Sequence, residues 1–129
     1  MRGYNAKRRL SFRLPNVGFR LPNVGQVYED CGYIPRLCVE SNPQWDELTG
    51  INLFDGTTGS CRVRRCGPTL MHPLLVGLRL RNKEKFLEAK ATWNSDWSSP
   101  GLHEYMSEEY KEFQALLRAE NKQIGRAHV

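Results

Sequence analysis

The stretch from Cys31 to Cys66 constrains the fold most, because it holds all four cysteines and the clearest strand and turn signals of the chain. The cysteines form two brackets, CGYIPRLC and CRVRRC, on either side of a run rich in apolar and turn residues. Within this run INLF and SCRVR are joined by DGTTG, and a short loop that opens on Asp-Gly between apolar strands is typical of a β-hairpin. We therefore predict a hairpin here and hypothesise that the four cysteines converge beside it.

Three interpretations of the cysteines stay open. Two pairs of thiols suggest a structural zinc site, and the second bracket, which closes on Cys66-Gly67, resembles a zinc knuckle. The spacing weakens this, because six residues separate Cys31 from Cys38, whereas zinc brackets usually hold two to four. Reduced, semi-buried thiols are the favoured interpretation. The candidate zinc ligands are Cys31, Cys38, Cys61 and Cys66.

A disulfide framework is the least favoured interpretation of the same residues. The first residues are basic, but no apolar run of signal-peptide length follows them. Disulfides persist mainly in exported proteins. A reducing compartment such as the cytoplasm is therefore predicted, with organelle targeting by the arginine-rich N-terminus as a minority alternative.

The order of the periodic patterns predicts the fold class. The length of 129 residues fits one domain, and 40% apolar content supports a core. Strand patterns come first, and helical patterns follow from about residue 69. Segregated strands and helices indicate an α+β fold, with a small antiparallel sheet at about 26–66 and two or three helices at about 69–122.

Within the predicted sheet, Trp45 and Leu48 are expected to anchor the core. Alternation along the last strand places Cys61 and Val63 on one face and Cys66 on the other, unless the chain curls between them. A zinc site requires that curl. Arg64 and Arg65 would then lie at its exposed tip.

Three helical patterns follow the sheet. Leucines at 70, 74, 75 and 78 repeat at helical spacing, with a start near Pro73. Asn82 is a candidate cap for KEKFLEAKATW, whose core stripe is Phe86, Ala89 and Trp93. After Ser99-Pro100, a third helix extends to about Asn121 with Leu102, Met106, Phe113 and Leu117 on one face. The longest apolar-rich stretch, TLMHPLLVGL, is about half of the ~20 residues of a membrane span, so no membrane partner is predicted.

An exact tandem repeat, FRLPNVG at 12–18 and 19–25, marks the N-terminal region. Two copies of seven residues are too short for a solenoid, whose units span at least ~20 residues. The turn-rich copies and the basic residues before them predict a poorly ordered arm at 1–25, followed by one domain at 26–123.

Basic charge is concentrated in two blocks of a chain whose net charge is +5. Residues 1–28 hold six basic groups and no acid, and residues 62–90 hold eight basic groups and two acids. Such blocks favour an anionic partner, nucleic acid above all, although alternating blocks also satisfy one another within a fold. The candidate nucleic-acid contacts are Arg8, Arg9, Arg62, Arg64, Arg65 and Arg81. The alternative is a structural or protein-interaction domain that uses its C-terminal amphipathic helix.

The sequence carries no recognisable catalytic motif. His103-Glu104 is not followed by a second histidine at the zincin spacing, and no Gly-Lys-Ser/Thr loop occurs. A cysteine nucleophile would need His72 or His103 nearby in space. A binding protein is therefore favoured over an enzyme.

The last six residues, IGRAHV, match a nucleotide sequence that is foreign to natural genes. The codons ATC GGA AGA GCA CAC GTC encode it, and these match the start of a widely used sequencing adapter that continues into the stop TGA. We therefore predict that residues 124–129 are adapter read-through and that the natural chain is cut short near Gln123. His128 and Arg126 are excluded from the candidate sites for this reason.

Overall fold

The computed structural model of the protein describes residues 21–96 and 100–127. The described residues divide into two compact units, one that ends at Val76 and one that begins at Gly77. Most of the predicted basic arm, with Arg8 and Arg9, lies outside the described residues, as does the predicted helix cap Ser99.

The first unit contains one five-stranded antiparallel sheet. Its strands, in chain order, are β1 (Val27–Glu29), β2 (Pro35–Asn42), β3 (Glu47–Asn52), β4 (Thr58–Arg62) and β5 (Thr69–Leu70). Their order across the sheet is β4-β3-β2-β1-β5. The predicted α+β class, with an antiparallel sheet followed by helices, is confirmed. The helical assignment of Leu70 is wrong, because Leu70 pairs with Tyr28 at the edge of β1.

The predicted hairpin is confirmed as β3 and β4. Leu48 lies opposite Cys61, and Gly50 lies opposite Gly59. In the connecting loop the Asp55 carboxylate accepts hydrogen bonds from the Thr57 backbone at 2.9 Å and from its hydroxyl at 2.7 Å. Gly56 has a φ of +80°, which a residue without Cβ adopts at no steric cost. The Asp55-Gly56 pair therefore forms the hairpin turn that the sequence predicts.

One face of the sheet carries the core of the first unit. Tyr28, Cys38, Leu48 and Val63 form a buried cluster, and Cys61 packs against it. Leu48 therefore anchors the core as predicted. The same prediction for Trp45 is wrong, since its side chain is 71% exposed. Trp45 lies in a 3-10 turn, Pro43–Trp45, between β2 and β3, where no strand pairing directs it inward.

The folded part also begins earlier than the predicted boundary at residue 26. Pro22 is buried, and the Gly25 backbone N–H donates to the Cys38 carbonyl at 2.8 Å. The end of the second FRLPNVG copy thus belongs to the sheet unit. Local sequence does not reveal this, because the partner strand lies more than ten residues away.

A short helix and three longer ones complete the described structure. They are α1 (Val63–Cys66), α2 (Pro73–Arg81), α3 (Lys83–Ser95) and α4 (Gly101–Ala127). Asn82 stands at the predicted cap of α3, although its side chain makes no capping hydrogen bond. Helix α4 passes the predicted end at Asn121, and this does not bear on the origin of residues 124–129. Among the described residues, no helix is long and apolar enough to cross a membrane.

The second unit is organised around a buried ion pair. Arg79 on α2 donates to the Glu109 carboxylate on α4 through Nε at 3.1 Å and through Nη2 at 2.5 Å. Tyr105 donates its hydroxyl to the same carboxylate at 2.7 Å, and the guanidinium lies 5.4 Å from the centre of the Phe86 ring. The predicted stripes contribute Phe86, Leu102, Met106 and Phe113, all buried. The Glu109 carboxylate thus joins α2 to α4, and the Arg79 guanidinium adds a contact with α3.

Candidate thiol site

Helix α1 supplies the curl that the cysteine pattern requires. The Val63 N–H donates to the Asp46 carbonyl at 3.1 Å, and the Arg64 N–H donates to the Asp46 carboxylate at 3.3 Å. Asp46 therefore satisfies the first donors of the turn. Gly67 ends it at a φ of +57°, with its N–H bonded to the Val63 carbonyl. The turn breaks the strand alternation, so Cys66 reaches the side of the sheet that carries Cys61.

Three of the four predicted cysteines meet through their thiols. Cys66 donates a hydrogen bond to the Cys61 sulfur, and Cys31 donates to the Cys66 sulfur through both its thiol and its backbone N–H. Cys31 is exposed, Cys61 is partly buried, and Cys66 is buried. We call these three residues the thiol cluster. It brings together the end of β4, the end of α1 and the loop after β1.

Asp30 positions Cys31 in that loop. Its Oδ1 accepts the backbone N–H groups of Gly32 at 2.8 Å and Ile34 at 3.0 Å, while Oδ2 accepts Arg36 Nε at 2.7 Å. Tyr33, inside the turn, has a φ of +66°, a strained backbone conformation for an aromatic residue. The loop is therefore held by a carboxylate with three donors.

Cys38 is separate from the thiol cluster. Its side chain lies in the core, where the thiol contacts the Glu40 carbonyl at 3.7 Å. Burial raises the pKa of Cys38. In the described part of the chain, no group of three or more His, Cys, Asp or Glu side chains is arranged to hold a metal ion. Zinc bound by all four cysteines therefore stays a prediction, and all four are outside any disulfide.

The two neighbouring thiols have opposite pKa shifts. The hydrogen bond from Cys66 lowers the pKa of Cys61 more than its burial raises it. For Cys66, the hydrogen bond from Cys31 lowers the pKa, but the bond to Cys61, burial and the Cys61 charge outweigh it and raise the pKa to about 11. The opposite shifts mean that the first proton to leave this coupled pair leaves Cys61 more readily than Cys66.

A buried tyrosine faces the cluster. Burial raises the pKa of Tyr28, and the nearby charges of Cys61 and Cys66 act in the same direction. Its hydroxyl is fully buried and has no hydrogen-bond partner among the described residues. The ring lies over Gly50, where a Cβ would come within 2.8 Å of Tyr28 Cζ. No sequence pattern indicates the contact between Tyr28 and Gly50, because these residues are adjacent only across the sheet.

The raised pKa of Cys66 predicts a loss of stability in alkaline solution. The folded state holds the Cys66 thiol proton more tightly than the unfolded chain does, because thiols in the unfolded chain have a pKa of about 8.5. The contribution of the protonated Cys66 thiol to the free energy of unfolding is therefore complete below that pH and is lost as pH rises through about 11. We expect urea unfolding of the reduced protein to show a falling free energy between about pH 9 and 11, and the Cys66→Ala variant to show a shallower fall. Tyr105 does not depend on the cysteines, so its contribution is the same in both proteins and cancels in the difference. Equal slopes would contradict the assignment.

The predicted nucleic-acid contacts fall in separate parts of the chain, and Arg8 and Arg9 lie outside the described residues. Arg62, Arg64 and Arg65 are exposed together where β4 enters α1. The Arg64 side chain is 87% exposed and lies 3.4 Å from the Asp46 carboxylate. Arg81 belongs to the second unit, 3.9 Å from Glu112. Arg64 and Arg65 lie on α1, which forms the curl that a zinc site would require.

His72 and His103 are the two histidines considered above as partners of a cysteine nucleophile. Nδ1 of His72 accepts the Leu74 backbone N–H at 3.1 Å, at the start of α2. His103 is exposed on α4. Comparisons with protein-family models, with curated proteins and with solved structures find no match to this chain.

Proposed function

We propose that the protein is a small, non-enzymatic binding protein that contacts nucleic-acid phosphates through Arg62, Arg64 and Arg65, named here the arginine tip. The observation that supports the proposal is the exposure of three guanidinium groups within four positions, on a turn fixed by Asp46 and Gly67. Guanidinium groups suit phosphate oxygens because their donors form a planar fork. The basic arm would add a second, sequence-independent contact.

The Asp46 carboxylate beside Arg64 does not block such a contact. The Arg64–Asp46 pair is solvent-exposed on the arginine side and separated by 3.4 Å. Exposed ion pairs of this kind contribute little, from about 0 to 1 kcal/mol. A phosphate that offers two oxygens can therefore replace the carboxylate at small cost.

A salt titration with matched variants tests the proposal. We expect the affinity for a short DNA or RNA duplex to fall steeply with salt, because neutralised phosphates release counterions. Replacing all three arginines of the tip with glutamine should reduce the slope of log K against log salt by about 2 to 3. The control is the triple variant Lys111→Gln/Arg118→Gln/Lys122→Gln, which removes three exposed positive charges from α4 and should leave the slope close to that of the wild type. Equal slopes for the triple variant and the wild type would contradict the proposal.

The alternative function, a protein-interaction domain, receives less support. The apolar residues of α4 are largely used within the protein, with Leu102, Met106 and Phe113 buried. Leu116 and Leu117 are half-buried and leave a small apolar area for a partner. Under either function, a reducing compartment suits the site, since the thiol cluster requires reduced cysteines.

A further inference from the structure

We propose that Cys61 and Cys66 form a redox-active dithiol that reacts with low-molecular-weight disulfides such as oxidised glutathione. The inference concerns a reaction of the thiol cluster and does not depend on nucleic-acid binding. It also differs from zinc coordination, because it uses Cys61 and Cys66 as a reacting pair and leaves Cys38 out.

The geometry assigns different roles to the two sulfurs. Cys61 is partly exposed at the end of β4 and receives the Cys66 hydrogen bond, so an incoming disulfide can reach it. Cys66 is 3% exposed, and its thiol is hydrogen-bonded to Cys61. The accessible sulfur is thus the attacking nucleophile and the buried one is the resolving thiol.

The electrostatics of the cluster support the same order of events. The Cys66 thiol donates a hydrogen bond to the accessible Cys61 sulfur, and such a bond stabilises negative charge on the sulfur that reacts as a thiolate. Once Cys61 has reacted, it carries no negative charge and no longer holds the Cys66 proton through a thiolate hydrogen bond. The thiol and backbone N–H of Cys31 remain and stabilise a thiolate on Cys66. Reaction at Cys61 therefore activates Cys66.

The reaction balances in two exchanges. Cys61 thiolate attacks one sulfur of the disulfide, so a Cys61–S–S–R bond forms, the S–S bond of the reagent breaks, and the first RS⁻ leaves. Cys66 then loses its proton and attacks Cys61 Sγ, which forms the Cys61–Cys66 disulfide and releases the second RS⁻. The two protein protons end on the two RSH products. The protein dithiol is oxidised by two electrons, and the reagent disulfide is reduced by two.

The fold places few residues between the two sulfurs. Four residues separate Cys61 from Cys66, and helix α1 bends this segment so that the thiols are already hydrogen-bonded. The two sulfurs are therefore in contact before the new bond forms. Cys38 offers a matched comparison, because it is a thiol of the same sheet that is buried in the core and contacts a carbonyl oxygen.

The test treats the full chain with defined mixtures of reduced and oxidised glutathione, blocks remaining thiols with N-ethylmaleimide, and maps the products by mass spectrometry. We expect the wild type and the Cys38→Ala variant to lose two hydrogen atoms and yield a Cys61–Cys66 cross-linked peptide. Cys66→Ser should stop at the mixed disulfide on Cys61 and accumulate it at least tenfold above the wild type. If Cys66→Ser does not fold, as judged by circular dichroism, a quenched time course of the wild type should show the Cys61 mixed disulfide before the cross-link.

Two results would overturn the inference. One is a wild type that carries glutathione on Cys31 and forms no Cys61–Cys66 peptide. The other is a protein whose four thiols are protected by zinc in native mass spectrometry, which would favour the four-cysteine metal site. The samples contain no nucleic acid, so failure here leaves the proposed binding function unaffected, and loss of that function leaves this reaction unaffected.

Discussion

Replacing Arg79 with methionine is expected to lower the free energy of unfolding by about 3–5 kcal/mol, because it leaves the Glu109 carboxylate buried without its counter-ion. Both side chains are almost completely inaccessible, at 1% and 2% exposure. Tyr105 would still donate to Glu109, but a neutral hydroxyl replaces neither the charge nor the two guanidinium hydrogen bonds. Urea unfolding followed by the circular dichroism of the helices measures the change.

Two further variants separate the charge effect from simple loss of packing. The double variant Arg79→Met/Glu109→Leu removes both charges, and it should be more stable than Arg79→Met alone, since apolar pairs often replace buried ion pairs at little cost. The matched control is Arg81→Met, which breaks the exposed Arg81–Glu112 pair at 3.9 Å on the same helix and should cost less than about 1 kcal/mol. A double variant as unstable as the single one would show that the ion pair is not the source of the effect.

The sequence predicts those parts of the fold that depend on neighbours along the chain. The Asp55-Gly56 turn and the helical stripe that contains Phe86 are examples, because turn chemistry and helical periodicity act within a few residues. The predictions for Trp45 and Leu70 are wrong because the positions of these residues do not depend on their neighbours along the chain. The position of Leu70 depends on the open edge of β1, and that of Trp45 on a turn that follows no strand pattern.

The same distinction applies to the thiol site. The brackets identify all four cysteines, and strand alternation shows that Cys61 and Cys66 meet only if the chain curls. Whether it curls depends on Asp46, which lies fifteen residues before Cys61. Asp46 accepts the first backbone N–H groups of α1. Asp30 likewise acts through a loop whose geometry no short pattern encodes. An aspartate adjacent to a strand is common, so sequence alone does not single out these two.

Replacing Gly50 with alanine is expected to destabilise the first unit by about 3 kcal/mol, at the upper end of the usual cost of overpacking. The new Cβ would overlap the Tyr28 hydroxyl and lie 2.8 Å from Cζ, in a ring that is fully buried and cannot swing into solvent. Thermal and urea unfolding measure the loss.

The matched control for this substitution is Gly77→Ala, where a Cβ meets nothing within 4 Å. Inside helix α2 this change should stabilise the protein by about 0.5–1 kcal/mol, because glycine loses more backbone entropy on folding. Tyr28→Phe removes a buried hydroxyl that has no partner among the described residues, so alone it should be nearly neutral. Combined with Gly50→Ala it should restore part of the lost stability, since the hydroxyl overlap disappears while the contact with Cζ remains. If Gly50→Ala were as stable as the wild type, the close packing of Tyr28 on β3 would be wrong, and with it the position of this ring beside the thiol cluster.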